Sequence, residues 1–291
     1  MTAAELARKV RLVELRARRT AGGLMSGAYH SAFKGQGVEF QEVREYVPGD
    51  DTRAIDWNVT ARVGRPYLKR YAEERDQTVM ILLDASASHA FGSGTALKNE
   101  VTAEIFAALA FAALFNKDET ALALFTSGVE LYVPPGRGPR HVLRLIREVL
   151  AFQPRAAETN LAGALEFLCR VRRRRSLVFL VSDFQDSGFE RPLRIAARRH
   201  DVVAFSVFDP REERLPDCGL VEFEDAETGE RWTADTSGAR VRDAWEQAAR
   251  RRLEGLKAIF AAAGVDHLRV EAGTDYLRRL VAFLERRGKR D

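Results

Sequence analysis

Asp84, Ser86 and Ser88 are the residues whose types and spacing point most directly to chemistry. They lie in VMILLDASASHAFGSG, residues 79–94, where five apolar residues lead into a carboxylate and two hydroxyls follow at alternate positions. Asp183 repeats the first half of that pattern, closing the apolar run SLVFLVSD at 176–183. Between them Thr159 precedes the helical pattern LAGALEFLCR, at the place of an N-cap hydroxyl. All five side chains offer oxygen, and none offers nitrogen or sulfur. Such donors suit a hard divalent cation, with Mg²⁺ or Mn²⁺ ahead of Zn²⁺. Two carboxylates and three neutral hydroxyls would keep the ion electrophilic, with a position left for a carboxylate from outside. A strand ending in Asp before small residues is also a common turn or cap. Thr159 and Asp183, each at an expected element terminus, tip the balance toward a metal site.

Other candidates carry less. His30, His89, His141, His200 and His267 are scattered, and no nucleophile–histidine spacing accompanies them. His89 borders the proposed site and reads as a loop residue without an orienting partner rather than a catalytic base. Lys98, at the start of the next helix, either offsets an acidic pocket or is simply exposed. RVRRRR at 170–175 ends a helix, where cations oppose the negative end of the dipole. Without interleaved aromatics it gives no support for specific nucleic-acid recognition. In EYVPGDDTRAIDW, 45–57, Pro48-Gly49-Asp50 reads as a turn, Arg53 as one half of a buried ion pair, and Trp57 as core. No phosphate-binding glycine loop occurs.

The elements that must position these residues are legible from residue 78 onward. TVMILLD (78–84), TALALFT (120–126), SLVFLVSD (176–183) and DVVAFSVF (201–208) are apolar runs, mostly continuous, as a sheet buried on both faces requires. Helical patterns at 95–115, 138–151, 161–173 and 189–199 alternate with them, which implies a mainly parallel sheet with right-handed crossovers. VELYVPP (129–135) follows Ser127-Gly128 as a hairpin partner at the sheet edge. Beyond residue 209 a hairpin at 220–235, a long charged helix at 239–263, a short strand and a terminal helix are expected. In such a sheet, ligands collect beyond the carboxyl ends of the strands, which is where Asp84 and Asp183 fall.

Asp-x-Ser-x-Ser, a distant Thr and a strand-end Asp resemble the metal-ion-dependent adhesion site of von Willebrand factor A-type domains. GQGVEFQEVREYVPGDDTRAIDWNVTARVGRPYLKRYAEERD, residues 35–76, closely resembles the signature of the domain-of-unknown-function 58 family. The resemblance covers roughly residues 20–210 and departs where Ser88 is followed by His89, such loops usually continuing Ser-Met. It implies an α/β fold: a von Willebrand A-like, Rossmann-type, mostly parallel sheet flanked by helices, with a small N-terminal β-containing subdomain. The expected division is residues 1–77 for that subdomain and 78–291 for the α/β domain. The leading reading is a non-enzymatic, metal-dependent protein-binding module, and the resemblance implies that its partner is a MoxR-type AAA+ ATPase or a client that the ATPase remodels. A phosphatase-like hydrolase using the same aspartates is the alternative.

Composition sets the outer bounds. The chain has 291 residues, 46% hydrophobic, enough for a large buried core. Its net charge of +4 is too modest for a nucleic-acid-binding tail, and Cys169 and Cys218 are the only cysteines, far apart and in no metal-like spacing. That usage fits a reducing compartment. No run approaches the ~18 apolar residues of a membrane span, and the start has no signal-like apolar core. A cytoplasmic protein is expected. Leu6, Val10 and Val13 recur at helical spacing in a helix expected to pack on its own domain rather than on a membrane surface.

Overall fold

The computed structural model describes residues 3–20, 26–33, 39–47, 50, 52, 55–72, 77–94 and 96–289. The chain divides into two compact units, one formed by residues 1–33 with 78–291 and the other by residues 34–77. In the larger unit the helices α1 (Ala3–Thr20) and α2 (Ser26–Ala32) precede the strand β3 (Thr78–Asp84). The smaller contains β1 (Glu39–Glu45), α3 (Trp57–Val63) and β2 (Tyr67–Ala72).

In the smaller unit β1 and β2 pair antiparallel. Asp56 caps α3, its carboxylate accepting from the backbone amides of Asn58 and Val59. That cap makes Trp57 the first helical residue and turns it outward, 70% exposed, so it is not the core residue its size suggested. Asp50 accepts from Arg44 at 2.6 Å and from the amide of Val47. The ion pair expected of Arg53 lies outside the described residues, as does most of its turn.

The larger unit continues with α4 (Lys98–Phe115), β4 (Glu119–Phe125), β5 (Val129–Gly136), α5 (Pro139–Ala151), α6 (Leu161–Val171) and β6 (Leu177–Ser182). Then come α7 (Glu190–Arg199), β7 (Asp201–Phe208), the hairpin β8 (Leu220–Glu224) and β9 (Arg231–Asp235), α8 (Ala239–Ala263), β10 (Asp266–Glu271) and α9 (Tyr276–Gly288). Six strands form one sheet in the order β10-β7-β6-β3-β4-β5. All its pairings are parallel except β4 with β5, the expected hairpin. This is the α/β architecture the sequence implied.

Alternation along β3 explains why its sequence shows none. Val79, Ile81 and Leu83 face one core with α1, α2, α4, α5 and α9, while Met80 and Leu82 face a second core with α6, α7 and α8. Successive side chains point to opposite faces, and both faces are covered, so every position is apolar. The same logic makes α4 apolar nearly all round: most of its residues between Val101 and Ala113 are buried.

The first 33 residues belong with this sheet and not with a subdomain ending at 77. Ala17 of α1 and Tyr29, Ala32 and Phe33 at α2 are buried in the first core. The Phe33 ring meets that of Phe179 edge-on, 5.6 Å between centroids.

The strand order fixes where a site can form. The chain runs from β3 to β4 and β5 on one side, then returns to β6, β7 and β10 on the other. The order therefore reverses between β3 and β6, and the crevice at such a switch point lies beyond their carboxyl ends. Asp84 ends β3 and Asp183 follows β6.

Candidate metal centre

Asp84 is 2% exposed, and each carboxylate oxygen is held. Oδ1 accepts from the backbone amide of Ser86 at 3.0 Å, and Oδ2 from the hydroxyl of Ser182 at 2.6 Å. The Ser86 contact closes a tight turn that leads into a 3-10 segment, Ala87–Ala90. There the hydroxyls of Ser86 and Ser88 lie 3.1 Å apart. The backbone turns sharply after Asp183, which accepts from the amide of Gln185 at 3.2 Å. Phe184 has a φ of 56°, rare for a bulky residue. Its ring is locked between Phe189 and Phe260, with centroids 6.0 and 5.1 Å away, which holds the chain in that conformation.

One predicted residue is placed differently. Asn160, not Thr159, is the N-cap of α6, its side chain accepting from the amide of Gly163 at 2.7 Å. Thr159 is thereby free to donate its hydroxyl to Glu227 at 2.7 Å, and its amide donates to the same carboxylate at 3.2 Å. Glu227 lies in the β8–β9 turn. Burial raises its pKa, more than the Thr159 bonds lower it, and the negative charges of Asp183 and Asp84 push in the same direction. Thr159 is thus engaged by a carboxylate that sequence spacing did not reveal, one that feels the charges of Asp183 and Asp84.

Lys98 decides the electrostatics. Its ammonium is fully buried and donates to Asp183 Oδ2 at 2.9 Å and to Glu212 Oε1 at 2.6 Å. Burial alone would raise the Asp183 carboxyl, but the charges of Lys98 and His89, with hydrogen bonds from Lys98 and Ser88, hold it well below the usual carboxylate range. Burial alone would lower the Lys98 ammonium, and Asp183 and Glu212 outweigh it and raise it. Both shifts describe one buried ion pair. Glu212 follows β7, so three neighbouring strands, β3, β6 and β7, each deliver a carboxylate at the same end of the sheet. An unpaired lysine at the head of α4 read as ambiguous because Glu212 lies 114 positions away.

His89 is not the unoriented loop residue its surroundings suggested. It is 2% exposed, and its Nδ1 lies 3.3 Å from the hydroxyl of Thr102 on α4. Its Nε2 lies 3.7 Å from Asp84 Oδ2 and, among the described residues, has no hydrogen-bond partner. One ligand atom from each of Asp84, His89 and Asp183 falls within 4.8 Å of the others. An octahedral ion with bonds near 2.1 Å separates its ligand atoms by about 3.0–4.2 Å, so small side-chain shifts would bring all three onto one cation. The residues therefore fit a divalent ion on two counts. They combine hard oxygen donors, and they leave a buried imidazole nitrogen, without a hydrogen-bond partner among the described residues, 3.7 Å from a carboxylate oxygen. A cavity of ≈ 300 Å³ lined by Asp84, Ser86 and His89 extends to Leu97 and Phe152.

The model of the family described as protein of unknown function DUF58 matches residues 42–254. The chain is a DUF58 protein. An uncharacterised protein of Mycobacterium tuberculosis (strain ATCC 25618 / H37Rv) is 30% identical to this DUF58 chain over 288 residues, 97% of this chain and 90% of the relative. An uncharacterised Mycobacterium avium protein is 34% identical over 159 residues, 53% of this chain and 92% of its own. Among solved structures, the conserved hypothetical protein BatB from Bacteroides thetaiotaomicron aligns with 73% of this chain and 99% of its own, at 14% identity and a TM-score of 0.49. An aerotolerance-related membrane protein from Bacteroides fragilis aligns with 74% of this DUF58 chain and 100% of its own, at 14% identity and a TM-score of 0.48. Among the described residues of this protein, no helix is long and apolar enough to cross a membrane.

Proposed function

We propose that the protein is a non-enzymatic, metal-dependent protein-binding module. In this reading Asp84, Ser86, Ser88, Thr159 and Asp183 hold a hard divalent cation, Mg²⁺ or Mn²⁺, and a carboxylate from a protein partner completes its shell. Family resemblance suggests that the partner is a MoxR-type AAA+ ATPase or a client of one. The supporting observation is the convergence of Asp84, Asp183 and two serine hydroxyls at the switch point between β3 and β6. Charge balance supports it too: the carboxylates of Asp84, Asp183 and Glu212 outnumber the ammonium of Lys98 and the imidazole of His89, a negative excess that a cation would offset. The Thr159–Glu227 bond is in keeping with this reading, since Thr159 already receives a carboxylate from the chain's own hairpin.

Affinity capture from lysate with the full chain as bait, in Mg²⁺ or Mn²⁺ and again in EDTA, tests this. Capture of a partner should be lost in EDTA, restored by the ion, and abolished by Asp84→Ala, while reversing the charges of Arg172 to Arg175 matters little. Coordination resists moderate salt, whereas contacts through exposed arginines weaken as screening shortens. A partner retained in EDTA but released by the arginine reversal would overturn the reading.

The buried His89 beside Asp84 is the observation that keeps a hydrolase in contention, since an imidazole at a metal site can act as a base. Two-metal hydrolysis generally uses more carboxylate or histidine ligands than this cluster offers. Turnover of generic phosphoesters with Mn²⁺, abolished by Asp84→Ala, would favour the hydrolase.

A further inference from the structure

The position of His89 bears on which metal the site selects, and this inference rests on the reading of Asp84 and Asp183 as ligands. Three facts define the imidazole. It is 2% exposed. Its Nδ1 faces the Thr102 hydroxyl at 3.3 Å, from a helix packed in the core. Its Nε2 has no hydrogen-bond partner among the described residues and lies 3.7 Å from Asp84 Oδ2.

In the neutral ring these facts constrain the proton. With the proton on Nδ1 the ring donates to Thr102, and the Nε2 lone pair then faces a carboxylate oxygen across 3.7 Å. Two acceptors facing each other in a buried site are unfavourable unless a cation lies between them. The other tautomer points N–H at Asp84 from beyond hydrogen-bond distance and gives up the donation to Thr102. The first arrangement is also the one metal-bound histidines adopt, one nitrogen on the ion and the other donating to an outer partner that fixes the ring. The 3.7 Å separation matches two adjacent or obliquely placed ligands of one ion.

We propose that His89 is a direct metal ligand and that Thr102 sets its tautomer, which makes the site selective for Mn²⁺ over Mg²⁺. Mg²⁺ strongly prefers oxygen and parts with water reluctantly, whereas Mn²⁺ accepts carboxylate, hydroxyl and imidazole together. A cavity borders Asp84 and His89, and Lys98 is already engaged by Asp183 and Glu212.

The test uses the full chain loaded with Mn²⁺ alone. Pulsed electron paramagnetic resonance should show nuclear modulation from a directly bound ¹⁴N, absent in His89→Leu and in Asp84→Ala. Calorimetric titration should show Mn²⁺ affinity falling roughly tenfold or more in His89→Leu while Mg²⁺ affinity changes much less. Thr102→Val should weaken Mn²⁺ binding with the nitrogen signal retained. Mn²⁺ that binds in an Asp84-dependent manner without a nitrogen signal would overturn the role of His89 and leave the metal site standing. An intact chain that binds neither ion would overturn both. The wild-type spectrum decides the matter even if His89→Leu fails to fold.

Discussion

Lys98 shows how much a single side chain can set. A lysine with no exposed surface survives only because Asp183 and Glu212 both reach it. Replacing it by methionine keeps the volume and removes the charge, which leaves two carboxylates buried without their cation. Such a broken pair typically costs about 3–5 kcal/mol, so Lys98→Met should lower the thermal midpoint of the metal-free protein markedly. The same change makes the cluster more negative, so affinity for Mn²⁺ or Mg²⁺ should rise. Thermal denaturation with and without ion measures both effects. If stability and ion affinity fall together, the ammonium supports the site's shape and its charge is secondary.

At the scale of elements, the β8–β9 hairpin matters most. Its turn is fixed by Asp225, which accepts from the amides of Glu227 and Thr228, so Glu227 is presented in a defined direction. The Thr159 hydroxyl and amide receive it. If a partner supplies a carboxylate to this site, it must compete with Glu227. Glu227→Gln keeps the shape and weakens the bond, so it should increase partner capture several-fold, with ion affinity altered far less. Surface-immobilised wild-type and variant chains, challenged with the same partner, report the difference. Reduced capture by the variant would place the hairpin among the partner's contacts instead of among its competitors.

Two properties belong to the whole molecule. The first is the attachment of the amino-terminal helices. Phe33 is 6% exposed, contacts Phe179 from β6 edge-on, and has the Arg287 guanidinium of α9 over its ring at 4.9 Å. Phe33→Ala should therefore cost about 3–5 kcal/mol, as a large core truncation does. A change well under 1 kcal/mol in denaturant unfolding would show that residues before 34 are dispensable to the sheet. The second is acid sensitivity. Burial, with Arg269 and Lys257 adding positive charge, lowers the His267 pKa from 6.5 to about 4, while its Nε2 pairs with the Ser206 hydroxyl at 2.7 Å. The unfolded chain takes up a proton near pH 6.5 that the folded chain refuses until about 4. Stability should accordingly be full above pH 6.5 and fall by roughly 2–3 kcal/mol on acidification to pH 4. His200, lowered by burial and by Arg172, Arg199 and Arg175, acts in the same direction. The difference between wild type and His267→Gln over that window isolates the His267 share, and equal slopes would exclude it.

What the sequence by itself determined was local. Apolar runs closing on Asp84 and Asp183 specify strands buried on both faces, because only such strands are apolar at every position. Alternation with helices then forces parallel pairing, and parallel pairing gathers the strand ends. That Asp84 and Asp183 meet at one end of the sheet was legible for that reason. What only the tertiary structure decided depends on contacts between residues far apart in the chain. Lys98 meets Glu212 and Thr159 meets Glu227 across 114 and 68 positions, and no local pattern encodes either. His89 was misjudged because its orienting partner, Thr102, lies 13 positions on, across a loop whose path is set by the bond from Ser93 to Asp209. Trp57 was misjudged for the opposite reason, since the cap at Asp56 overrides the tendency of a large aromatic to be buried. The helices before residue 34 fall to the α/β unit because their apolar faces complete its core, a choice that chain order leaves open.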